Sequence, residues 1–218
     1  MVTYDEKHGN FTLVNRDIIY SSLCITDGIL FGSENRIYKY DYKKRSFKSI
    51  NIKKQEDKGS DVTKYRVQKI IAFSEREALV ATRRDGVYVL DYQTMRLKRL
   101  FSGSNNILQG AYLSSNGYIY LSFWGQGLFC YEKTGKFIKR YTKENSDLTN
   151  NYVLDIVEKE GFLWLATDGG GINRLELSNE NFSNLYHIAG DKNSLPVNSV
   201  TILYKDENEG LWLSLIHI

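Results

Sequence analysis

Residues 162–177, FLWLATDGGGINRLEL, place a tryptophan, a threonine, an aspartate and three consecutive glycines in one short stretch. A glycine run of this kind cradles phosphate when its amides open a helix, but the residues that follow, INRLEL, alternate as a strand does. Metal and triad chemistry find no footing. The three histidines, His8, His187 and His217, share no ligand spacing and accompany no nucleophile motif, and Cys24 and Cys130 stand far apart. Both cysteines read as small buried hydrophobes, and no cofactor or metal is expected. The residues with promise are of another kind. Trp124 and Gln126 flank one glycine, Arg83, Arg84 and Asp85 precede another, Asp168 precedes the triple glycine, and Asn106, Asn150, Asn151 and Asn198 precede apolar runs. A tryptophan among amides and charges is the chemistry of a sugar site, where ring faces stack and planar groups hydrogen-bond to hydroxyls.

What positions these residues is a β framework. The chain has 218 residues, 42% hydrophobic and 13% aromatic, enough to bury a real core. With 16 tyrosines, 17 glycines and one proline, its short apolar runs, such as GYIYLSF and GVYVLDY, are bounded by turn residues, and no window keeps the helical i, i+3, i+4, i+7 spacing. The net charge of +3 comes from 29 basic and 26 acidic residues spread along the chain, too balanced for a nucleic-acid groove. Only YKYDYKKRSFKSINIKK (38–54) is locally basic, and it reads as a solvated strand edge on which lysines discourage pairing, with contact to an anion as the lesser alternative. No run of 18 apolar residues is present and the start, MVTYDEKHGN, has no apolar h-region. A membrane would therefore be reached only through other parts of a longer protein.

Internal repetition gives the organisation. GFLWLATDGGGINRLEL (161–177) lies over GYIYLSFWGQGLFCYEK (117–133), and EALVATRRDGVYVLDY and GILFGSENRIYKYDY keep the same phase. The anchor residues are Leu30, Leu79, Tyr120, Trp164 and Trp212, a period of 41 to 49 residues. Each period holds four strand-like runs, here called a to d, joined by links too short for parallel crossovers. The expected fold is an all-β propeller of four-stranded antiparallel blades: complete blades at 18–58, 65–103, 107–145 and 152–190, with partial blades at 1–17 and 197–218. The flanking pieces leave open a closed five-bladed ring or a fragment of a seven-bladed propeller. TDGGG is then the turn between strands b and c. Tyr120, Trp164 and Trp212 are expected between blades, since what repeats in every blade usually builds it.

In such a meander the b–c turns and d–a connections share one end. The expected ligand-binding residues are accordingly Trp124, Gln126, Arg83, Arg84, Asp168, Asn106 and Asn151, with Trp124 singled out because it takes the slot of Asp168. Each also has a structural reading: turn packing for the tryptophan, backbone capping for the asparagines, a solvated turn for the arginines. A glycosidase needs two carboxylates around the axis, yet among the five a runs only Asp155 is acidic. No catalytic residue is expected.

NNYVLDIVEKEGFLWLATDGGGINRLEL resembles the two-component regulator propeller repeat: an asparagine before strand a, an acidic a–b turn, a Gly-x-Leu-Trp strand b and a Gly-Gly-Leu-type start to strand c. VNSVTILYKDENEGLWLS matches through Asn198, Asp206, Gly210, Leu211 and Trp212, while the copies at 18–50 and 65–100 lack the tryptophan. The resemblance implies a fragment of the periplasmic sensor part of a hybrid two-component histidine kinase of gut Bacteroidetes, in which two seven-bladed propellers precede a β-sandwich, a membrane helix and the kinase. It implies an oligosaccharide ligand, a dimeric parent receptor and no catalysis in this segment. The other reading is a propeller that only scaffolds protein contacts.

Overall fold

A computed structural model describes residues 2–5, 10–13, 16–52, 62–103, 106–206, 208 and 210–215. His8, His217 and the tail 216–218 lie outside them. Residues 1–103 and 104–218 form two compact units.

The first unit opens on an antiparallel pair, β1 (Val2–Asp5) and β2 (Asn10–Leu13). A four-stranded sheet follows: β3 (Ser21–Ile25), β4 (Gly28–Gly32), β5 (Arg36–Asp41) and β6 (Ser46–Asn51), each strand pairing antiparallel with the next. The next sheet repeats this order in β7 (Val67–Ala72), β8 (Glu77–Thr82), β9 (Gly86–Asp91) and β10 (Arg96–Ser102). The described helical content is one short 3-10 turn, Val62–Tyr65. Strand alternation aims Leu30 and Ile37 of one sheet at Val67, Ile70, Ala78 and Val80 of the other, all at most 3% exposed. Each leucine, isoleucine and valine among them contributes about 1.5–3 kcal/mol on burial, and this layer holds the two sheets face to face.

The second unit contains β11 (Leu108–Leu113), β12 (Tyr118–Phe123), β13 (Gly127–Glu132) and β14 (Phe137–Tyr141). Then come β15 (Val153–Lys159), β16 (Phe162–Thr167), β17 (Ile172–Glu176) and β18 (Phe182–Leu185), and finally the pair β19 (Val200–Lys205) and β20 (Leu211–Leu215). Tyr120, Leu128 and Cys130 meet Val153, Ile156, Leu163 and Leu165 between the two full sheets. Ala166, Ile172 and the half-buried Trp164 meet Val200 and Leu203 of β19. Thus the architecture is all-β: four four-stranded antiparallel blades and two two-stranded pieces of a propeller.

Every first strand from β7 onward carries the same bulge, at Val67/Lys69, Leu108/Gly110, Val153/Asp155 and Val200/Ile202. A bulge sharpens the local twist and leaves main-chain groups without ladder partners, and side chains take them up. Asp155, the lone acidic residue of the a runs, is 8% exposed and accepts the N–H of Leu203 in the next sheet. It is committed to structure.

Two sequence expectations need correction. Trp212 is 64% exposed. Leu30, Tyr120 and Trp164 each lie against the first strand of the following sheet, and no described strand plays that part for β20; burial at this position is conferred by a neighbour. Cys24 is exposed, not buried. Leu23 and Ile25 turn to the sheet β7–β10, so Cys24 falls on the opposite face of β3. Cys130 is buried, which pushes its thiol pKa up.

Candidate functional site

The b–c turns are built alike. In TDGGG, Thr167 Oγ1 donates to the carbonyl of Gly171 at 2.7 Å, as Thr82 Oγ1 does to Gly86. Gly127 and Gly171 occupy equivalent places with φ of 76° and 74°, and a Cβ there would overlap the carbonyl oxygens of Tyr141 and Leu185. Only glycine satisfies both the positive φ and the close approach of the outer strand.

In the second unit these turns present Trp124, 48% exposed, packed edge-to-face on Tyr152 with ring centroids 5.1 Å apart at 79°. Tyr152 is itself 39% exposed, and its carbonyl accepts the N–H of Asp168 at 3.0 Å. Trp124 and Tyr152 therefore form one aromatic patch, and Asp168 is joined to Tyr152 through the main chain. Asp168 is exposed and its Oδ1 accepts a 2.7 Å bond from the Ser199 hydroxyl. Gln126 is held by Arg140, which donates through Nη2 to Oε1 at 3.0 Å and through Nε to the main-chain oxygen at 2.6 Å. The Arg140 guanidinium lies 5.1 Å over the Phe129 ring.

The asparagines work on their own chain. Asn151 Oδ1 accepts the N–H of Lys143 at 2.9 Å, its Nδ2 donates to Glu144, and its carbonyl accepts the N–H of Gly127 at 2.8 Å. Asn198 repeats this with His187 and Gly171 at 2.6 and 2.7 Å. The equivalence explains why an asparagine precedes strand a: it ties the d–a connection to the b–c turn. The Asn151 amide holds the Glu144 carboxyl below the ordinary carboxylate range. Asn150 Oδ1 accepts from Tyr152 N–H at 2.9 Å and so helps set the aromatic patch. Asn106 is partly buried and has partners of its own.

Arg83 and Arg84 belong to the first unit. Both are partly buried, and Arg83 N–H donates to the Arg66 carbonyl at 2.8 Å. Arg84 Nε is buried with no partner among the described residues. Asp85, next in the turn, is taken by Arg99 Nη2 at 2.7 Å and by the Tyr88 hydroxyl, whose pKa burial pushes well above the usual phenol range. Tyr152 and Arg140 escaped sequence reasoning. The only signal for Tyr152 was an aromatic directly after Asn-Asn, and none marked Arg140, which reaches Gln126 across the β13–β14 pairing.

The described grooves lie at the other end of the sheets, where a–b and c–d turns meet. One of about 510 Å³ in the second unit is lined by Tyr112, Ser115, Lys133, Glu158 and Lys205, and one of about 190 Å³ in the first lies between its two full sheets. Among the described residues no group of three or more His, Cys, Asp or Glu side chains could hold a metal ion, and no helix is long and apolar enough to cross a membrane.

These sheets, repeated in phase and packed face to face, define a β-propeller. No protein-family model matches the sequence, and no curated protein matches it. Among solved structures, the fold is similar to that of an extracellular domain of the hybrid two component system BT3049 from B. thetaiotaomicron, with TM-score 0.70 and 17% identity over 91% of this chain and 27% of that one. It is also similar to an extracellular domain of the one component system BT4673 from the same organism, with TM-score 0.70 and 16% identity over 98% and 29%. The WD40 repeats of RRP9 follow at TM-score 0.59 and 11% identity over 79% and 52%. The chain spans under a third of the two B. thetaiotaomicron domains.

Proposed function

We propose that this chain is a segment of the periplasmic, ligand-sensing propeller of a transmembrane two-component receptor, and that the Trp124–Tyr152 patch is where an oligosaccharide rests. The location and the sensing role are supported by the likeness to the two extracellular domains, each matched over more than nine-tenths of this chain. The observation that carries the ligand class is an exposed tryptophan braced edge-to-face by a second exposed aromatic ring, with Asp168 in the next turn. A tryptophan face offers apolar area to the C–H side of a sugar, and flanking polar groups take its hydroxyls. The parent protein in this reading is a histidine kinase that works as a dimer. Signalling requires the sugar to bind one receptor arrangement more tightly than another.

A second reading, a scaffold for protein contacts, is favoured by one fact: the side chains of Gln126 and Asn151 are spent on Arg140, Lys143 and Glu144. Calorimetric titration of the intact chain with a panel of plant and host oligosaccharides separates the two. Sensing requires at least one glycan that binds and is lost in Trp124→Ala, whereas silence across the panel favours the scaffold.

A further inference from the structure

The sequence contains one Asn-Gly pair, Asn116–Gly117, and it falls in the turn between β11 and β12. Asn116 is exposed. Its Oδ1 accepts the N–H of Tyr118 at 3.1 Å and its Nδ2 donates to the Tyr120 hydroxyl at 3.3 Å, so the side chain lies along the turn. Gly117 has a φ of 85°, and a Cβ added there would meet nothing within 4 Å. Its N–H donates to the Ser114 carbonyl at 2.9 Å. A main-chain nitrogen next to an asparagine side chain, with no Cβ in the way and open space around it, is what succinimide closure requires. The three Asp-Gly pairs lack this combination. A Cβ at Gly28 or Gly86 would overlap the carbonyl oxygens of Tyr40 and Phe101, so those glycines have no room to move. Asp168, beside the roomier Gly169, offers a carboxyl group held by the Ser199 hydroxyl at 2.7 Å, a poorer acceptor of a nucleophile than an amide.

We propose that Asn116 is a site of spontaneous deamidation to isoaspartate, and that this modification loosens the seam between the sheets β11–β14 and β15–β18. A base in the solvent takes the Gly117 amide proton, and the nitrogen attacks Asn116 Cγ. The bond from Cγ to Nδ2 breaks, and that nitrogen takes a proton from water and leaves as ammonia. A second water opens the succinimide, so the net change is water in and ammonia out, with nothing oxidised or reduced. Opening at the main-chain carbonyl gives isoaspartate, whose backbone runs through the former side chain and is longer by one methylene; opening at the side-chain carbonyl gives aspartate. The same turn ties the two sheets together. Glu158 of β15 accepts the Ser114 hydroxyl and the Ser115 N–H, each at 2.8 Å, and the Ser115 hydroxyl as well. A longer backbone directly after Ser115 displaces these donors, and the new carboxylate adds a like charge near Glu158. Tyr120, 3% exposed, loses the Nδ2 donor to its hydroxyl.

Incubation of the intact chain in native buffer at mildly alkaline pH, followed over weeks by peptide mapping and isoaspartyl methyltransferase labelling, tests the assignment. Isoaspartate is expected at position 116 before any other asparagine or aspartate, and in excess over aspartate. The aged protein is expected to unfold at a lower urea concentration than the fresh protein. Asn116→Gln is expected to abolish the labelling and to keep its fresh midpoint on ageing. Asn116→Asp adds the charge without lengthening the backbone, and its midpoint is expected between those of the fresh and aged proteins. No isoaspartate at 116 overturns the proposal. Labelling that appears only in urea overturns it as well, because the folded turn then blocks ring closure. Earlier labelling at another position overturns the selectivity, and an aged protein that keeps the fresh midpoint overturns the loosening of the seam.

Discussion

Asp155 Oδ2 accepts the main-chain N–H of Leu203 at 3.1 Å, from the first strand of one sheet to the first strand of the next. Ser21 does the same in the first unit, its hydroxyl accepting the N–H of Ile70 at 2.9 Å. By register the two acceptors are equivalent, as are the two amides. The same slot in β11 is Gly110, where a Cβ would press on Ile156. Removing the acceptor strands a buried amide. Asp155→Ala is expected to lower stability by about 1–3 kcal/mol, and Asp155→Asn by less, in chemical denaturation. An Asp155→Ala protein as stable as the parent would show that this bond contributes nothing.

Gly171 and Gly161 share a positive φ, 74° and 79°, but not their surroundings. A Cβ at 171 overlaps the Leu185 carbonyl, while at 161 it meets nothing within 4 Å. Gly161→Ala should cost about 1 kcal/mol of backbone strain. Gly171→Ala should cost clearly more, since the strand β18 must shift as well. Equal melting temperatures for the two variants would rule out the packing argument.

Trp164 and Trp212 are equivalent in sequence and opposite in environment. Trp164→Ala, in contact with Val200 and Leu203, is expected to cost about 2–4 kcal/mol. Trp212→Ala should stay within about 1 kcal/mol of the parent, as surface changes do. The comparison needs only urea midpoints.

Trp212 does have a measurable duty. Its Nε1 donates to Asp206 Oδ2 at 2.7 Å, and with the N–H groups of Gly210 and Asn208 it holds the Asp206 carboxyl below the ordinary range. A depressed native pKa stabilises the fold above the unfolded value of about 3.9, and that contribution is lost as pH falls through the native value. Trp212→Phe should move the Asp206 midpoint upward in an NMR titration of its carboxyl carbon. An unmoved midpoint would assign the depression to the main chain alone.

Trp124→Ala should leave the denaturation midpoint within about 1 kcal/mol, since nearly half the side chain is in solvent. Loss of its ring should also free Tyr152, seen as a sharper ring signal in NMR.

The phase of the blades was legible because Leu30, Leu79, Tyr120 and Trp164 recur with turn glycines at matching offsets, and a period survives divergence of its individual letters. Burial was less legible. Cys24 and Trp212 have the composition of interior residues, but whether a face is covered depends on the adjoining sheet, which no local pattern encodes. The bonding of the turn residues was not legible: Gln126 is fixed by Arg140 from a strand fourteen residues on, and Asn151 by Lys143 and Glu144. The pairing of Asp27 with Lys39 likewise links a turn to a neighbouring strand, which the run of basic letters does not reveal.

The flank of the final strand pair has a practical corollary. Ile202, Tyr204 and Trp212 are each more than half exposed and lie on one side of β19 and β20, with Tyr204 directly opposite Trp212. Contiguous greasy area of this kind drives self-adhesion. Purified on its own, the polypeptide should turn cloudy as it is concentrated, and a glutamate in place of Tyr204 should raise the concentration at which it does.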